Sequence, residues 1–357
     1  MMRWCWLSRW SLLSSVLVGC WSGSPSLAQW LPEPDAALPP FASDAPPPAP
    51  PDAADDLTRP DPFDRDFRVT ALQEDSTGAL WIASWLGLSR IDPNTGRILA
   101  RVGLPNYRME SLAMDRAGRI WGGTNSGIVR VDPRSNEVTA YQFALPSNRI
   151  LSLAVDQRGY LWAGGDRGLS LISPDQGLMM TTLQALAGVS ANALTVDTTG
   201  QLWVGTLDGL VQVNTASAYP MGRMTNLPGG VVQTLATAPD GLIWAGTPNS
   251  LLVINPLERR IVRSVTPFRG ESVTSIRFAR DRTVWIGTEA GLFQVQPDSG
   301  AILGEMPSLP SGHVLSLSPD TGNKVWVGTR QGLAWVSQTT GLVRPHLGFV
   351  PPPVSPF

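Results

Sequence analysis

The chain has 357 residues, 43% of them hydrophobic and 16% charged, with 27 basic and 29 acidic side chains. Its two cysteines, Cys5 and Cys20, both fall in the first twenty residues, so the body of the protein offers neither a disulfide nor a thiolate metal site. Residues 63–357 hold 24 basic and 22 acidic side chains, a near-neutral balance that argues against a nucleic-acid partner, whose phosphates call for a basic excess on one face.

Residues 1–28 read as an export signal. Arg3 and Arg9 supply the basic start, and Trp10 to Trp21 is an apolar core too short to span a bilayer. Two cleavage sites compete. Ser26-Leu27-Ala28 before Gln29 fits the small-x-small pattern of ordinary signal peptidase; Leu17-Val18-Gly19-Cys20 resembles the bacterial lipobox, which would make Cys20 an acylated first residue. The expected location is extracytoplasmic, with membrane attachment only through such a lipid.

Residues 29–66 are expected to be a disordered linker. Eleven prolines, seven acids and the single base Arg59 between 29 and 62 cannot bury a core and favour an extended, partly polyproline chain.

From residue 67 to 346 one unit recurs. Trp81, Trp121, Trp162, Trp203, Trp244, Trp285 and Trp326 are spaced by 40 and then five times by 41. Nine residues before each stands an aliphatic residue (Leu72, Leu112, Leu153, Leu194, Leu235, Ile276, Leu317), and six after it a glycine, except at Ser250. In the fourth unit, period-2 alternation places a first strand at Ala193-Leu194-Thr195-Val196, a hairpin turn at Asp197-Thr198-Thr199-Gly200, a second strand from Gln201 to Thr206 and a third from Gly209 to Val213. The fourth strand is the least regular, as in Gly96 to Val102 or Gly300 to Leu303.

Such a sheet cannot bury both faces alone, and seven of them closed in a ring solve the problem. The predicted fold is all-β, a seven-bladed β-propeller of four-stranded antiparallel blades. A linear β-solenoid competes, but its repeats are shorter and carry fewer strands. Trp and the glycine two residues on share a face, so each ring is expected to lie over a neighbour's glycine. Chain order predicts no strand exchange at closure, with help from 63–67 where Pro345 weakens the last strand; residues 347–357 are a Pro-rich tail.

Candidate chemistry is sparse. Two histidines, His313 and His346, exclude a His-rich metal site, and the Asp-x-x-Gly turns lack the alternating carboxylates of a calcium loop. No cofactor and no metal are expected. The loops that join the fourth strand to the next blade, and the second strand to the third, carry Trp85, Arg108, Arg149, Arg167, Asp208, Arg269, Glu289, His313 and Arg330. Arginine at this density suits a protein or small ligand that bears carboxylates or other anions.

The pattern Ser-Leu-Ala-x-Asp-x-x-Gly-x-Leu-Trp-x-Gly-Thr-x-x-Gly-Leu, nearly whole at Ser152 to Leu169 and Ala193 to Leu210, resembles the two-component regulator propeller repeats. In that family such repeats build periplasmic sensor domains ahead of a membrane span and a histidine kinase. Here no membrane helix, kinase or DNA-binding domain follows the repeats, so the resemblance implies a free-standing or lipid-anchored binding module, sensor-like or scaffolding. A second resemblance, through Gly-x-Leu-Trp, is to the virginiamycin B lyase family, seven-bladed propellers with a catalytic His/Glu pair and magnesium; His313 has no partner at matching spacing. A propeller-type lyase or hydrolase and an assembly factor for a membrane complex are the alternative functions.

Overall fold

The computed structural model describes residues 66–351 except 105, 106, 143, 144, 185 and 187. The leader, Cys20, the linker as far as residue 65 and the end of the tail at 352–357 lie outside the described residues. Two compact units divide the chain, Met1–Arg59 and Pro60–Phe357, and every described residue belongs to the second.

That unit is built of seven four-stranded antiparallel sheets, each with its strands paired in chain order, and they are numbered here as blades 1 to 7. In blade 4, Ala193–Val196 pairs with Leu202–Thr206, with Leu194 opposite Val204. Gly209–Asn214 and Tyr219–Met224 follow outward. The Asp-x-x-Gly hairpins form where expected, and Gly200 takes φ +82°, a left-handed conformation that glycine reaches without strain. The same reason shifts one expected strand: Gly300 at φ +73° closes the turn of blade 6, so its fourth strand is Ile302–Met306.

The first strands of neighbouring blades lie side by side around the ring, including that of blade 7 (Val314–Ser318) against that of blade 1 (Val69–Glu74). They therefore surround a central channel. Side chains on these strands bond the backbone of the next blade: Thr70 Oγ1 donates to Met109 O at 2.6 Å, Ser152 Oγ to Ala191 O at 2.8 Å, Thr274 Oγ1 to Val314 O at 2.5 Å and Ser316 Oγ to Val69 O at 3.2 Å.

All seven repeat tryptophans are at most 3% exposed, and each packs on the following blade. Trp203 sits among Val232, Leu235, Ile243, Leu252 and Ile254 of blade 5. The expectation that each ring covers a glycine is corrected here. A Cβ on Gly205 would stand 2.6 Å from Val232 Cγ1, and one on Gly287 2.5 Å from Val314 Cγ1. The glycine makes room for the residue that opens the next blade's first strand, because there the two backbones come closest.

The aspartate of each hairpin turn does more than shape the turn. Asp75, Asp115, Asp156 and Asp197 accept the indole Nε1–H of their own blade's Trp at 2.9, 2.8, 3.1 and 2.9 Å. Asp197 also accepts from the backbone of Thr199 and Gln201 and from Thr199 Oγ1, so a carboxylate only 3% exposed is fully hydrogen-bonded. Blades 5 and 6 have Ala238 and Ala279 there, and Trp244 instead meets the edge of Phe278 at 5.6 Å.

Cations then clasp neighbouring blades at the turns between third and fourth strands. Arg90 Nη1 donates to Pro133 O and Arg130 Nη1 to Pro174 O, both at 3.0 Å, and Lys324 Nζ to Pro93 O at 2.8 Å across the closing seam. Each of the three also stands over the ring of its own blade's Trp, at 5.8, 5.5 and 5.7 Å, which adds a cation–π contact.

Closure exchanges no strand. The last strand is only Val343–Pro345, and the chain compensates beyond it: His346 Nε2 donates to Gly96 O at 2.7 Å, and Phe349, fully buried, joins Leu72, Leu80, Ile82 and Ile91 of blade 1. Part of the stretch read as tail is thus core. Phe67 helps from the other side through Trp85, at 4.9 Å between ring centroids.

Trp203→Ala is expected to cost about 3–5 kcal/mol through the cavity it leaves, and Asp197→Ala about 1–3 kcal/mol through the stranded indole and backbone donors; denaturant midpoints at constant slope check both. Acid should act on the same device. Burial pushes the Asp75 carboxyl up, but hydrogen bonds from Thr77 and Trp81 and the charge of Arg90 outweigh it and hold the group below its ordinary value. Its stabilisation is complete above the unfolded carboxylate range near pH 4 and is lost as pH falls through the folded value. Urea midpoints measured from neutral pH downward should fall less steeply in Asp75→Asn than in the parent.

Candidate functional site

In five of the seven blades the loop between second and third strands is built by a buried threonine, where blades 1 and 3 have Ser84 and Gly165. Thr124, Thr206, Thr247, Thr288 and Thr329 are all 0% exposed, and each donates its Oγ1 to the carbonyl three residues on, as Thr206 does to Gly209 O at 3.1 Å. The loop is then tied to the segment that enters the same blade. Asn125 N donates to Arg108 O at 3.0 Å, Asp166 N to Arg149 O at 3.3 Å, and Arg330 N to His313 O at 3.0 Å. Both loop sets therefore share one face, and their exposed side chains stand on a fixed backbone.

The nine candidate residues all sit on this face but do not converge. Trp85 and Arg108 line one cavity between blades 1 and 2. Arg149 and Arg167 flank blade 3, Asp208 tips blade 4, and Arg269 follows the short 3-10 turn Thr266–Phe268. Glu289 accepts Ser272 Oγ at 3.0 Å on blade 6, and His313 and Arg330 share blade 7. Arg108, Arg149, Arg167, Arg269 and Arg330 are exposed, and among the described residues the ion pairs belong to other arginines.

The cavity between blades 1 and 2, about 470 Å³, also contains Asp66, Arg68, Leu104, Tyr107, Met109, Glu110 and Asn125. Its floor is apolar: Leu104 and Met109 are buried, and Trp85 is half-buried with its edge toward Phe67 and Phe349. Its wall is charged. Arg68 grips Asp66 through Nε and Nη2, and this hydrogen bonding lowers the Asp66 carboxyl and raises the Arg68 guanidinium from their ordinary values. Arg108 and Glu110 complete it. Sequence reasoning found Trp85 and Arg108 from their loops but missed Tyr107 and the Asp66–Arg68 pair, which lie outside the repeat pattern.

The central channel is a second and narrower space, about 170 Å³, lined by residues of the first strands and of the segments that enter them, such as Thr70, Glu110, Asn192, Gln233 and Arg277. Among the described residues no group of three or more His, Cys, Asp or Glu is placed to hold a metal ion, and no helix is long and apolar enough to cross a membrane.

The family model for the two component regulator propeller matches residues 144–167, the unit around Trp162. Among solved structures, the extracellular domain of a hybrid two component system from B. thetaiotaomicron aligns with TM-score 0.63 and 20% identity over 74% of this chain and 39% of that one. This chain thus spans well under half of that domain. Virginiamycin B lyase from Staphylococcus aureus aligns with TM-score 0.63 and 14% identity over 75% and 94%, and a chain of the mitotic checkpoint complex with 0.64 and 17% over 82% and 96%. At these identities the likeness is one of fold. No curated protein sequence matches the chain.

Trp85 belongs to the cavity and to the seam at once, so its removal is expected to cost about 1–2 kcal/mol, around half the value of a fully buried large side chain, and clearly less than that of Trp203. Equal denaturant midpoints for the two alanine variants would refute this assignment.

Proposed function

We propose that this propeller, which carries two-component regulator propeller repeats, is an extracytoplasmic, non-enzymatic binding module, sensor-like in kind. Its working face is the one formed by the two loop sets. The observation that carries the reading is the cavity between blades 1 and 2, where the Trp85 ring, an exposed arginine and a carboxylate meet over an apolar floor. A partner with a flat or apolar body and an anionic group fits this lining. The unpaired arginines of blades 3, 5 and 7 extend the preference for anions around the rim.

Export is supported by the leader at 1–28 and by the likeness to an extracellular domain, and the chain would be released after Ala28 or held through Cys20. A lyase reading draws on fold alone: Glu289 is engaged by Ser272, and among the described residues no hydrogen bond joins it to His313.

Replacing Arg149, Arg269 and Arg330 together by alanine should abolish capture of the native partner from extracts of the source cells, with the melting temperature nearly unchanged because all three side chains are exposed. Capture by the triple variant at the parent level would move the working face to the outer strand edges or to the acidic linker.

A further inference from the structure

Arg277 stands one residue before the end of the first strand of blade 6, Val273–Phe278, and lines the central channel. At the same position the other blades have Gln73, Ala113, Ala154, Thr195, Ala236 and Ser318. Of these seven positions Arg277 alone lines the channel, and it is the one cation among residues that are otherwise neutral and mostly small.

The protein does little to balance this charge. The guanidinium makes one hydrogen bond among the described residues, Nη1 to its neighbour's carbonyl Ile276 O at 3.0 Å, which leaves most of its five N–H donors free. By area the side chain is exposed, but it is exposed to water inside a ring of strands rather than to bulk solvent. Burial lowers its pKa from the ordinary value and no acidic neighbour acts against that. The other charged residue of the channel, Glu110, is the second residue of its strand Met109–Met114, and so lies toward the loop face. Arg277 is near the end of its strand, toward the hairpin turns, and Leu72, Leu112, Leu153 and Leu194 line the stretch between.

We propose that the central channel holds a small oxyanion on the guanidinium of Arg277. The planar fork of arginine pairs two donors with two oxygens of a phosphate or carboxylate, and a space of about 170 Å³ admits such an ion and excludes a polymer. Glu110 repels anions at the other end, which confines the site to the side of the hairpin turns. This site is separate from the loop face and does not depend on the reading given for it.

Inorganic phosphate and succinate, titrated separately into the full-length protein at ionic strength held constant with chloride, test the proposal by calorimetry and melting temperature. The parent should show saturable binding and a rising melting temperature with at least one of the two, and which one identifies the oxyanion. Arg277→Gln should bind at least about tenfold more weakly, the loss expected for charge-assisted hydrogen bonds. Arg277→Lys, which keeps the charge without the fork, should fall between. The Arg149, Arg269 and Arg330 triple variant should bind as the parent does. In chloride buffer without either oxyanion Arg277→Gln should be at least as stable as the parent, since it removes an uncompensated charge. The proposal fails if Arg277→Gln responds to both anions as the parent does, if neither anion saturates, or if Arg277→Gln is the less stable protein without either oxyanion.

Discussion

The fold depends on the contact between each repeat tryptophan and the next blade. A four-stranded sheet has two faces and no way to cover either by itself, so its stability is the sum of two seams shared with its neighbours. The indole fills most of one seam, and its one polar atom must be satisfied inside it. In blades 1 to 4 the turn aspartate accepts that N–H, and the same carboxylate fixes the turn through backbone N–H groups. A single side chain therefore couples the shape of the hairpin to the position of the ring. In blade 7 the carbonyl of Thr321 takes over at 3.2 Å: Asp320 keeps the sequence position of the turn aspartate but stands at φ +59° and accepts from Arg280 N and Gln338 Nε2 instead. The cations over the rings carry the coupling one step further, since Arg90, Arg130 and Lys324 join a ring in one blade to a turn in the next.

This arrangement separates the residues that build the molecule from those that can act. Tryptophan, aspartate, threonine and the paired glycines are buried or locked in turns, and they recur in nearly every unit. In five blades the buried threonines fix the backbone of the loop tips, and the arginine side chains that the loops carry are exposed. Such a platform presents a surface with little conformational entropy to lose on binding, and its chemistry can change without disturbing the seams. The cavity between blades 1 and 2 is lined in this way: the seam between first and last blades supplies Trp85, and the loops supply Arg108 and Asn125.

The repeat period and the order of strands were legible in the sequence because both follow from local alternation and turn chemistry, repeated seven times. The role of the glycine after each tryptophan was misjudged, since which residue of the next blade lies opposite it depends on the stagger between sheets, and no local pattern encodes that. Asp197 was read as a turn residue for the same reason: its bond to Trp203 crosses the hairpin. That the nine loop residues share one face follows from strand order and was legible, but their separation around the ring follows from the diameter of the body. Tyr107 and the Asp66–Arg68 pair escaped because they belong to irregular segments where the repeat offers no register. The closing contacts of His346 and Phe349 lie past the last recognisable strand, and only the curvature of the ring brings them to blade 1.

Seven copies of one unit also form an internal comparison, and it contains a signal that reading each residue singly did not use. A position whose character is kept in most units is set by packing, so a departure from it must be tolerated or used. Ala238 and Ala279, in place of the turn aspartate, are of the first kind: Phe278 covers Trp244 and the seam stays closed. Arg277 is of the second kind. No neighbouring carboxylate rewards it, and the six other blades hold a neutral side chain at the same position. A charge with no counter-charge in such a channel is balanced by water alone unless something of opposite sign comes to it. The channel is open to water and polar along its walls, so what comes to it can be small and diffusible.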